Sequence, residues 1–269
     1  MMRDITLGQY YNTDSVIHSL DPRTKLTLTF GYLILIFLIS KMWLFAFAAA
    51  FIAVVTILSK VPFSMVLRSL KPMRWLLLFM FVLNLFMSRS GEVLFKWWIF
   101  ELTTGGIRQA LFMTFRLLLL VMGTSLMTFT TTPIALTDGL EKLLAPLKKI
   151  GFPAHELAMM MTIALRFIPI LLEESDKITK AQLSRGADLE SGNIIKKAKS
   201  MVPILVPLFI SAFRRADELA MAMESRCYHG DEGRTRMRVL TLKKCDFTAF
   251  LVFALVFVSV LLLQNLMAF

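Results

Sequence analysis

Long apolar runs are the feature of this sequence that most constrains its fold. Apolar residues make up 57% of the 269 positions, and the mean hydropathy is +0.67. Such runs with few charges are typical of helices in a lipid bilayer, where each segment has to bond its own backbone polar groups. The sequence therefore predicts an all-α, polytopic membrane protein with about five transmembrane helices. The predicted spans are residues 26–39, 42–58, 75–87, 107–130 and 247–266.

Basic residues at the ends of these runs predict the orientation of the chain. The largest cluster follows the second span and comprises Lys60, Arg68, Lys71 and Arg74. Because cytoplasmic loops of membrane proteins are enriched in Lys and Arg, we predict a cytoplasmic N-terminus and, after a fifth span, an external C-terminus. A nucleic-acid-binding surface would instead need a basic stripe with aromatic platforms, which the sequence lacks.

Residues 133–246 are much more polar than the rest of the chain. They hold 18 Lys and Arg residues and 14 of the 19 Asp and Glu residues. We therefore predict a cytoplasmic domain of amphipathic helices here, between an N-terminal membrane part at 1–132 with four spans and a final transmembrane helix at 247–269.

Two long helical segments are predicted within this polar region. Their first halves are nearly as apolar as a membrane span, but they contain Pro169, Pro203 and Pro207. Proline is unfavourable inside a helix, so we predict that these halves are too short and too broken to cross a bilayer.

Both long segments end in the same short signature, 41 residues apart. Each has an apolar stripe at helical spacing that finishes in an arginine. An arginine in the last turn favours the negative end of a helix, and a following glycine is a common cap, so one such end needs no functional explanation. Two successive helices with the same end favour a shared function. The signatures are Ser184-Arg185-Gly186 and Ser225-Arg226-Cys227, and the same spacing aligns Ala181 with Ala222.

No catalytic or metal-binding motif is complete in the sequence. His155 and Glu156 begin a zinc-protease motif, but Met159 stands where the second histidine belongs. A Gly-rich nucleotide-binding loop is absent, so we expect no ATP binding of that kind. Arg116 lies within a predicted span, where it faces a polar cavity or serves helix packing, and the sequence favours neither. We expect no catalytic, cofactor-binding or metal-binding residues in this chain.

The paired signatures resemble motifs of a known family, the transmembrane T component (EcfT family) of energy-coupling factor (ECF) transporters. They are similar to the two Ala-Arg-Gly motifs of that family. The stretch Leu20-Asp21-Pro22-Arg23-Thr24-Lys25 is similar to its opening motif. Serine stands in place of alanine in both signatures, and Cys227 in place of the second glycine, which affects only the local turn. The resemblance covers essentially the whole chain.

The resemblance implies a non-catalytic scaffold of an ATP-driven importer for vitamins or other micronutrients. Its coupling helices would cross closely at Ala181 and Ala222, and the two signatures would dock into two ABC-type ATPase subunits. A membrane-embedded, substrate-binding S component would be the third partner. ATP and Mg would be bound by the ATPases, with no cofactor in this chain.

Two other classes of membrane protein stay open as alternatives. An intramembrane enzyme needs polar catalytic groups within its spans, and a stand-alone carrier or channel needs broken helices and charges at mid-membrane. The predicted spans show little of either pattern. The sequence does not name the transported substrate, because in the family that it resembles the S component selects it.

Overall fold

The computed structural model describes residues 10–87, 92–97, 100–187, 194–228, 230 and 240–266. Most of these residues are helical. The helices are α1 (Pro22–Leu38), α2 (Leu44–Ser59), α3 (Phe63–Arg68), α4 (Arg74–Met87), α5 (Thr104–Thr130), α6 (Pro133–Leu144), α7 (Ala154–Ser184), α8 (Ile194–Glu224) and α9 (Lys244–Leu266). A 3-10 turn, Ala145–Ile150, follows α6, and two short strands, β1 (Val93–Trp97) and β2 (Phe100–Thr103), lie between α4 and α5.

The predicted all-α membrane fold is confirmed. Among the described residues, α5, α7 and α9 are long and apolar enough to cross a bilayer, and α2 and α4 are shorter apolar helices. Five helices, α1, α2, α4, α5 and α9, coincide with the five predicted spans. The transmembrane role of the shorter ones stays a prediction.

Between α4 and α5, the strands β1 and β2 pair in antiparallel fashion, which was not predicted. Trp97 pairs with Phe100, and Val93 pairs with Thr103, with one irregularity in the register between them. Aromatic and β-branched residues are frequent in this connection, as is typical of strands. Hydropathy alone did not reveal this pairing because the short strands lie between two long apolar runs.

Helices α7 and α8 are each 31 residues long and continue through their prolines. The prediction that Pro169, Pro203 and Pro207 break these segments is therefore wrong. A proline removes one backbone hydrogen bond and can bend a helix, but helical residues on both sides can continue it. Because α7 is also a candidate span by length and composition, its location outside the bilayer stays a prediction.

The described chain forms two compact units. The first, called here the membrane-helix unit, contains the described residues of 10–139 and 240–266. The second, called the helix-pair unit, contains those of 140–230 and includes α7 and α8. The division falls inside α6 and after residue 239, while the predicted boundaries between membrane and cytoplasmic parts stay predictions.

In the membrane-helix unit, α1 packs closely against α5 through an aromatic ring on a glycine. Tyr32 is buried, and its hydroxyl donates to the carbonyl oxygen of Leu119 at 3.0 Å. A Cβ atom at Gly123 would overlap the Tyr32 ring, so glycine permits this approach. The hydroxyl is bonded internally, as an apolar surrounding requires. The buried core around it comprises Leu35, Ile36, Ile39, Leu44, Phe45, Ala48, Ile52, Val61, Val66, Leu119, Met122, Leu126, Phe129 and Val260.

Arg116 of α5 bonds the end of α1. Its Nη2 atom donates to the carbonyl oxygen of Ile39 at 2.7 Å and to that of Phe37 at 3.4 Å. The guanidinium also lies 4.7 Å from the centre of the Phe112 ring. The last carbonyls of a helix lack partners within it, and a cation is favourable at that end. Arg116 therefore serves helix packing, which is one of the two roles that the sequence left open.

A buried polar network joins the start of α1 to the start of α9. As predicted, the Asp-Pro pair begins α1, and Asp21 Oδ1 accepts from the backbone N–H of Arg23 at 2.9 Å. The Asp21 N–H donates to Oδ1 of Asp246 at 2.8 Å, and Asp246 Oδ2 accepts from the Lys243 N–H at 2.7 Å. The Asp246 residue is only 1% exposed. Both of its carboxylate oxygens therefore accept from backbone N–H groups, as burial of the carboxylate requires.

Lys25 brings the end of α5 into this network. Its Nζ atom donates to the carbonyl oxygen of Thr130 at 2.8 Å and to that of His18 at 3.1 Å. Lys25 is buried, and burial lowers the pKa of its ammonium group to about 8, while the opposite charges of Asp246 and Asp21 offset part of that effect. The network therefore holds the ends of three helices, α1, α5 and α9, around one buried cation.

The segment before α1 is held by His18. Its Nδ1 atom lies 2.7 Å from Ser15 Oγ, and its Nε2 atom lies 3.0 Å from the carbonyl oxygen of Tyr11. Burial lowers the pKa of His18, and the nearby Lys25 charge lowers it further. The ring is therefore neutral near pH 7, where it can accept from one neighbour and donate to the other.

The network predicts the effect of removing the buried carboxylate. Asp246→Ala should lower the free energy of unfolding by roughly 3–5 kcal/mol, because the buried Lys25 would lose one of its two compensating carboxylates and the N–H groups of Asp21 and Lys243 would lose their acceptor. Asp246→Ala combined with Lys25→Met should recover part of that loss. Thermal unfolding of the purified chain in detergent, followed by tryptophan fluorescence, measures both variants.

The matched control is Asp217→Ala, which removes an exposed carboxylate in the helix-pair unit. It should change the melting temperature little, because exposed charges contribute about 1 kcal/mol or less. Equal melting temperatures for Asp246→Ala and Asp217→Ala would show that the buried network does not stabilise the fold.

Candidate functional site

Helices α7 and α8 form an antiparallel pair. Three contacts spaced along the pair define it. The end of α7 lies beside Pro203, the tenth residue of α8, and Tyr228, just after the end of α8, lies beside Met159 near the start of α7. Two of these contacts are partly buried hydrogen bonds, one near the middle of α7 and one near its start. The contacting pairs are Gln182 with Pro203 (Nε2 to O, 3.3 Å), Glu174 with Arg215 (Oε2 to Nη2, 3.3 Å) and Met159 with Tyr228 (Sδ to Oη, 3.0 Å).

Small residues line the middle of this pair. One face of α8 places three alanines four residues apart on an apolar cavity of about 330 Å³, and α7 contributes larger side chains with the same spacing. Residues four apart share a helix face, so this spacing was visible in the sequence. The alanines were not predicted because the 41-residue alignment sets them against Leu171, Ser175 and Thr179, so the alanine spacing is not repeated in α7. The alanines are Ala212, Ala216 and Ala220, and the α7 residues are Ile163, Phe167 and Leu171.

The predicted crossing residues, Ala181 and Ala222, lie on exposed positions of α7 and α8. Their role in a close helix crossing is not tested by these contacts and stays a prediction.

The first arginine signature forms the end of α7. The N–H of Gly186 donates to the carbonyl oxygen of Leu183 at 3.0 Å, and the N–H of Ala187 donates to that of Gln182 at 3.0 Å. Gly186 has a φ of 84°, in the left-handed region that favours glycine. This pattern of bonds around a left-handed residue is a Schellman-type helix end, which satisfies carbonyls that the helix leaves free.

The second signature forms the end of α8 in the same way. The N–H of Cys227 donates to the carbonyl oxygen of Glu224 at 2.9 Å, and the N–H of Tyr228 donates to that of Met223 at 3.1 Å. Each bond lies 41 residues beyond its counterpart in α7. Cys227 has a φ of 54° and is thus left-handed despite its Cβ atom. The replacement of glycine by cysteine therefore does not change the turn that the family resemblance had placed in question.

The two serines are bonded to their own helices. Ser184 Oγ donates to the carbonyl oxygen of Lys180 at 3.0 Å, and Ser225 Oγ donates to that of Ala222 at 3.0 Å. Each hydroxyl therefore has an acceptor within the last helical turn. Serine in place of alanine leaves the helix ends intact.

Arg185 and Arg226 are both exposed, at opposite ends of the helix pair. Among the described residues, neither guanidinium has a hydrogen-bond or ion-pair partner. Met159, beside the second helix end, and Gln182, at the first, are 23 positions apart on α7. At 1.5 Å per residue, this separation is about 35 Å. The pair thus presents two equivalent arginine-bearing ends that are too far apart to bind one small ligand together.

His155 has a structural position. Its Nδ1 atom lies 3.0 Å from Oε1 of Glu141, and this contact joins α6 to the first turn of α7. Within the described part of the chain, no group of three His, Cys, Asp or Glu side chains is arranged to hold a metal ion. His229, another histidine of this region, lies outside the described residues.

Comparisons with known proteins agree on one family. A family model described as CbiQ, cobalt transport protein, matches residues 13–239. The chain is 55% identical over 250 residues to the energy-coupling factor transporter transmembrane protein EcfT of Thermosediminibacter oceani, covering 93% of this chain and 94% of the relative. The chain belongs to the EcfT family. The EcfT proteins of Clostridium kluyveri (54% identity over 267 residues, covering 99% and 98%) and Bacillus subtilis (48% over 240 residues, covering 89% and 91%) are similar over almost their full lengths.

Membership of the EcfT family confirms the resemblance drawn from the arginine signatures and from the stretch Leu20 to Lys25. The chain is therefore a membrane component of a transporter of the energy-coupling factor type. In this member of the family, Asp21, Arg23 and Lys25 of that stretch belong to the buried network at the helix ends, where Arg23 Nη2 donates to the carbonyl oxygen of Leu240 at 2.9 Å.

The matched helix ends predict opposite effects of two substitutions. Gly186→Ala should destabilise the end of α7 by about 1 kcal/mol, because a residue with a Cβ atom is unfavourable in the left-handed region. Cys227→Gly should relieve the same strain at the end of α8. Amide hydrogen exchange of the last turns, measured by mass spectrometry in detergent, should show faster exchange in the first variant and slower or unchanged exchange in the second. Faster exchange at both ends would contradict the equivalence of the two turns.

Proposed function

We propose that this chain is the energy-coupling scaffold of an ECF-type ABC importer, linking two ATPase subunits to a substrate-binding S component for the uptake of vitamins or other micronutrients. One observation carries the proposal. The chain builds the same helix end twice, with an exposed arginine at each, about 35 Å apart on one antiparallel pair. Two equivalent sites at opposite ends suit two ATPase subunits, one for each arginine.

The chemistry of arginine supports docking at these ends. A guanidinium offers five donors in a planar fork, which can bind carboxylates and carbonyl oxygens in a partner groove. Ser184 and Gly186 at one end, and Ser225 and Cys227 at the other, shape the final turn that inserts with it. In this proposal Arg185 anchors one ATPase and Arg226 anchors the other.

A second surface of the pair suits the S component. Many large apolar side chains of α7 and α8 are exposed in the chain by itself, and contiguous exposed apolar surface usually marks a binding surface. A membrane-embedded partner would cover this surface at the cytoplasmic face of the bilayer. The exposed residues include Met160, Met161, Ile168, Val202, Leu205, Val206, Phe209, Ile210 and Phe213.

The work of transport is divided accordingly. The ATPases bind ATP and Mg and hydrolyse ATP, whereas this chain supplies no catalytic group and no cofactor site. Closure of the ATPases on ATP would move the two helix ends, and the α7–α8 pair would pass that movement to the S component. The loosely packed seam at Ala212 and Ala216 would let the two helices slide during this movement.

The arginines can be tested directly. Arg185→Ala with Arg226→Ala should weaken ATPase docking about 30-fold or more, because loss of a charged donor from a partly buried partner costs roughly 2–5 kcal/mol. Arg→Lys at both positions should rescue poorly, because an ammonium does not reproduce the planar fork. The measurement is recovery of the two ATPase subunits in a pull-down with the variant, together with uptake of the transported micronutrient.

The matched control is Arg214→Ala with Lys177→Ala, which removes two exposed cations from the same helices away from their ends. Both ATPases should still be recovered with this control. If the double arginine variant also recovers both subunits and keeps full uptake, the arginines only complement the helix ends, an effect of at most about 1 kcal/mol each.

The proposed orientation has the N-terminus and the helix-pair unit in the cytoplasm and the C-terminus outside. It follows from the basic residues between α2 and α4. A cysteine placed at Lys71, in a background with Cys227→Gly and Cys245→Ser, should react with an impermeant maleimide only after the cells are opened. A cysteine at Glu92 should react in intact cells. Labelling of the Lys71 site in intact cells would contradict the proposed orientation.

A further inference from the structure

The connection between α2 and α4 lies in an unusually one-sided charge environment. Positions 22–91 contain no aspartate or glutamate but eight lysines and arginines. Half of those cations fall within residues 60–74, a stretch called here the basic segment: Lys60, Arg68, Lys71 and Arg74. The charge of this segment is therefore not balanced by any acidic residue nearby in the sequence.

One side of the basic segment is fixed to the core of the membrane-helix unit. Lys60 ends α2 with a φ of 55°, in the left-handed region, and turns the chain toward α3. Val61 and Val66 are then buried in the apolar core, and α3 packs against α5. The segment is therefore held in one place and is not a loose loop.

The other side of the basic segment combines charge with exposed apolar surface. All four cations are exposed, and among the described residues none of them forms an ion pair. Large apolar side chains stand beside them, led by Trp75, which is 69% exposed with the Arg74 guanidinium 5.5 Å from its ring centre. The other exposed apolar residues here are Phe63, Leu67 and Met73.

This combination points to a lipid. Tryptophan and other large apolar residues favour the membrane interface, and basic clusters next to a membrane helix favour anionic lipid headgroups. An acidic protein partner would satisfy the charge, but it would not require an apolar row alongside at the end of two apolar helices. We propose that the basic segment is an interfacial anchor that binds anionic phospholipid headgroups while Phe63, Leu67, Met73 and Trp75 insert among the lipid chains. This inference does not depend on the ATPase-docking function of the arginine signatures.

The test compares lipid binding by the full chain and by a variant without the four charges. The variant is Lys60→Gln, Arg68→Gln, Lys71→Gln and Arg74→Gln. The purified chain in detergent is titrated with dioleoylphosphatidylglycerol or with dioleoylphosphatidylcholine, and bound lipids are counted by native mass spectrometry. Each basic residue near an anionic surface contributes roughly fivefold in affinity. The unchanged chain should therefore prefer the anionic lipid by about tenfold or more, and the variant should lose that preference.

Two further variants control for net charge and for folding. The first variant removes four exposed cations elsewhere in the chain: Lys142→Gln, Lys149→Gln, Lys197→Gln and Lys199→Gln. It should keep the preference for the anionic lipid. The second variant exchanges lysine and arginine within the basic segment and so keeps its charge: Lys60→Arg, Arg68→Lys, Lys71→Arg and Arg74→Lys. It should also keep the preference for the anionic lipid. The proposal would be overturned if the variant with the neutralised basic segment kept its preference for the anionic lipid. It would also be overturned if the control without the four other lysines lost that preference to the same extent.

Two other outcomes would assign the surface differently. If the neutralised segment keeps its lipid preference but no longer recovers the ATPase subunits, the surface binds protein and the lipid proposal is wrong. Equal competition by soluble glycerol phosphate would show binding of the phosphate alone, without insertion of the apolar residues, and would contradict an anchor.

Discussion

The ends of three helices in the membrane-helix unit depend on one buried cation, Lys25, and on the carboxylates that compensate it. Lys25 bonds the last carbonyl of α5, Asp21 caps α1, and Asp246 accepts from backbone N–H groups at the starts of both α1 and α9. Helix ends leave backbone groups without partners, and in apolar surroundings each such group costs several kcal/mol. A single polar network therefore provides hydrogen-bond partners for backbone groups at three helix ends. It also explains, in physical terms, why the stretch from Leu20 to Lys25 is a polar sequence next to an apolar span.

Arg116 shows the same constraint at the other end of α1. A charge within an apolar helix is costly unless it bonds something, and here it bonds the carbonyls that α1 leaves free. Both ends of α1 are thus closed by side chains of other helices or by its own cap. The apolar contacts of Tyr32 and Gly123 then bring α1 and α5 close enough for this bonding.

The helix-pair unit places the two arginine signatures at opposite ends of one antiparallel helix pair. Each signature forms a local Schellman-type turn, which depends on only about six residues. The antiparallel packing of α7 on α8 then places the two turns at opposite ends of the pair, and the contacts from Met159 with Tyr228 to Gln182 with Pro203 define that arrangement. In the proposed function, this geometry lets one scaffold engage two ATPase subunits with two turns of the same form.

The sequence by itself determined the features that depend on neighbouring residues and on hydropathy. These are the apolar helices, the helix start at Asp21-Pro22, the basic cluster after α2 and the repeated arginine signatures, because helix periodicity, capping and charge are local properties. The tertiary structure decided what depends on residues distant in the chain. It showed that α7 and α8 continue through their prolines, that residues 93–97 and 100–103 pair as antiparallel strands, and that Ala212 and Ala216 line the seam of the pair. It also gave Arg116, Lys25 and Asp246 their partners, since those partners lie 77, 105 and 225 positions away and no local pattern encodes such pairings.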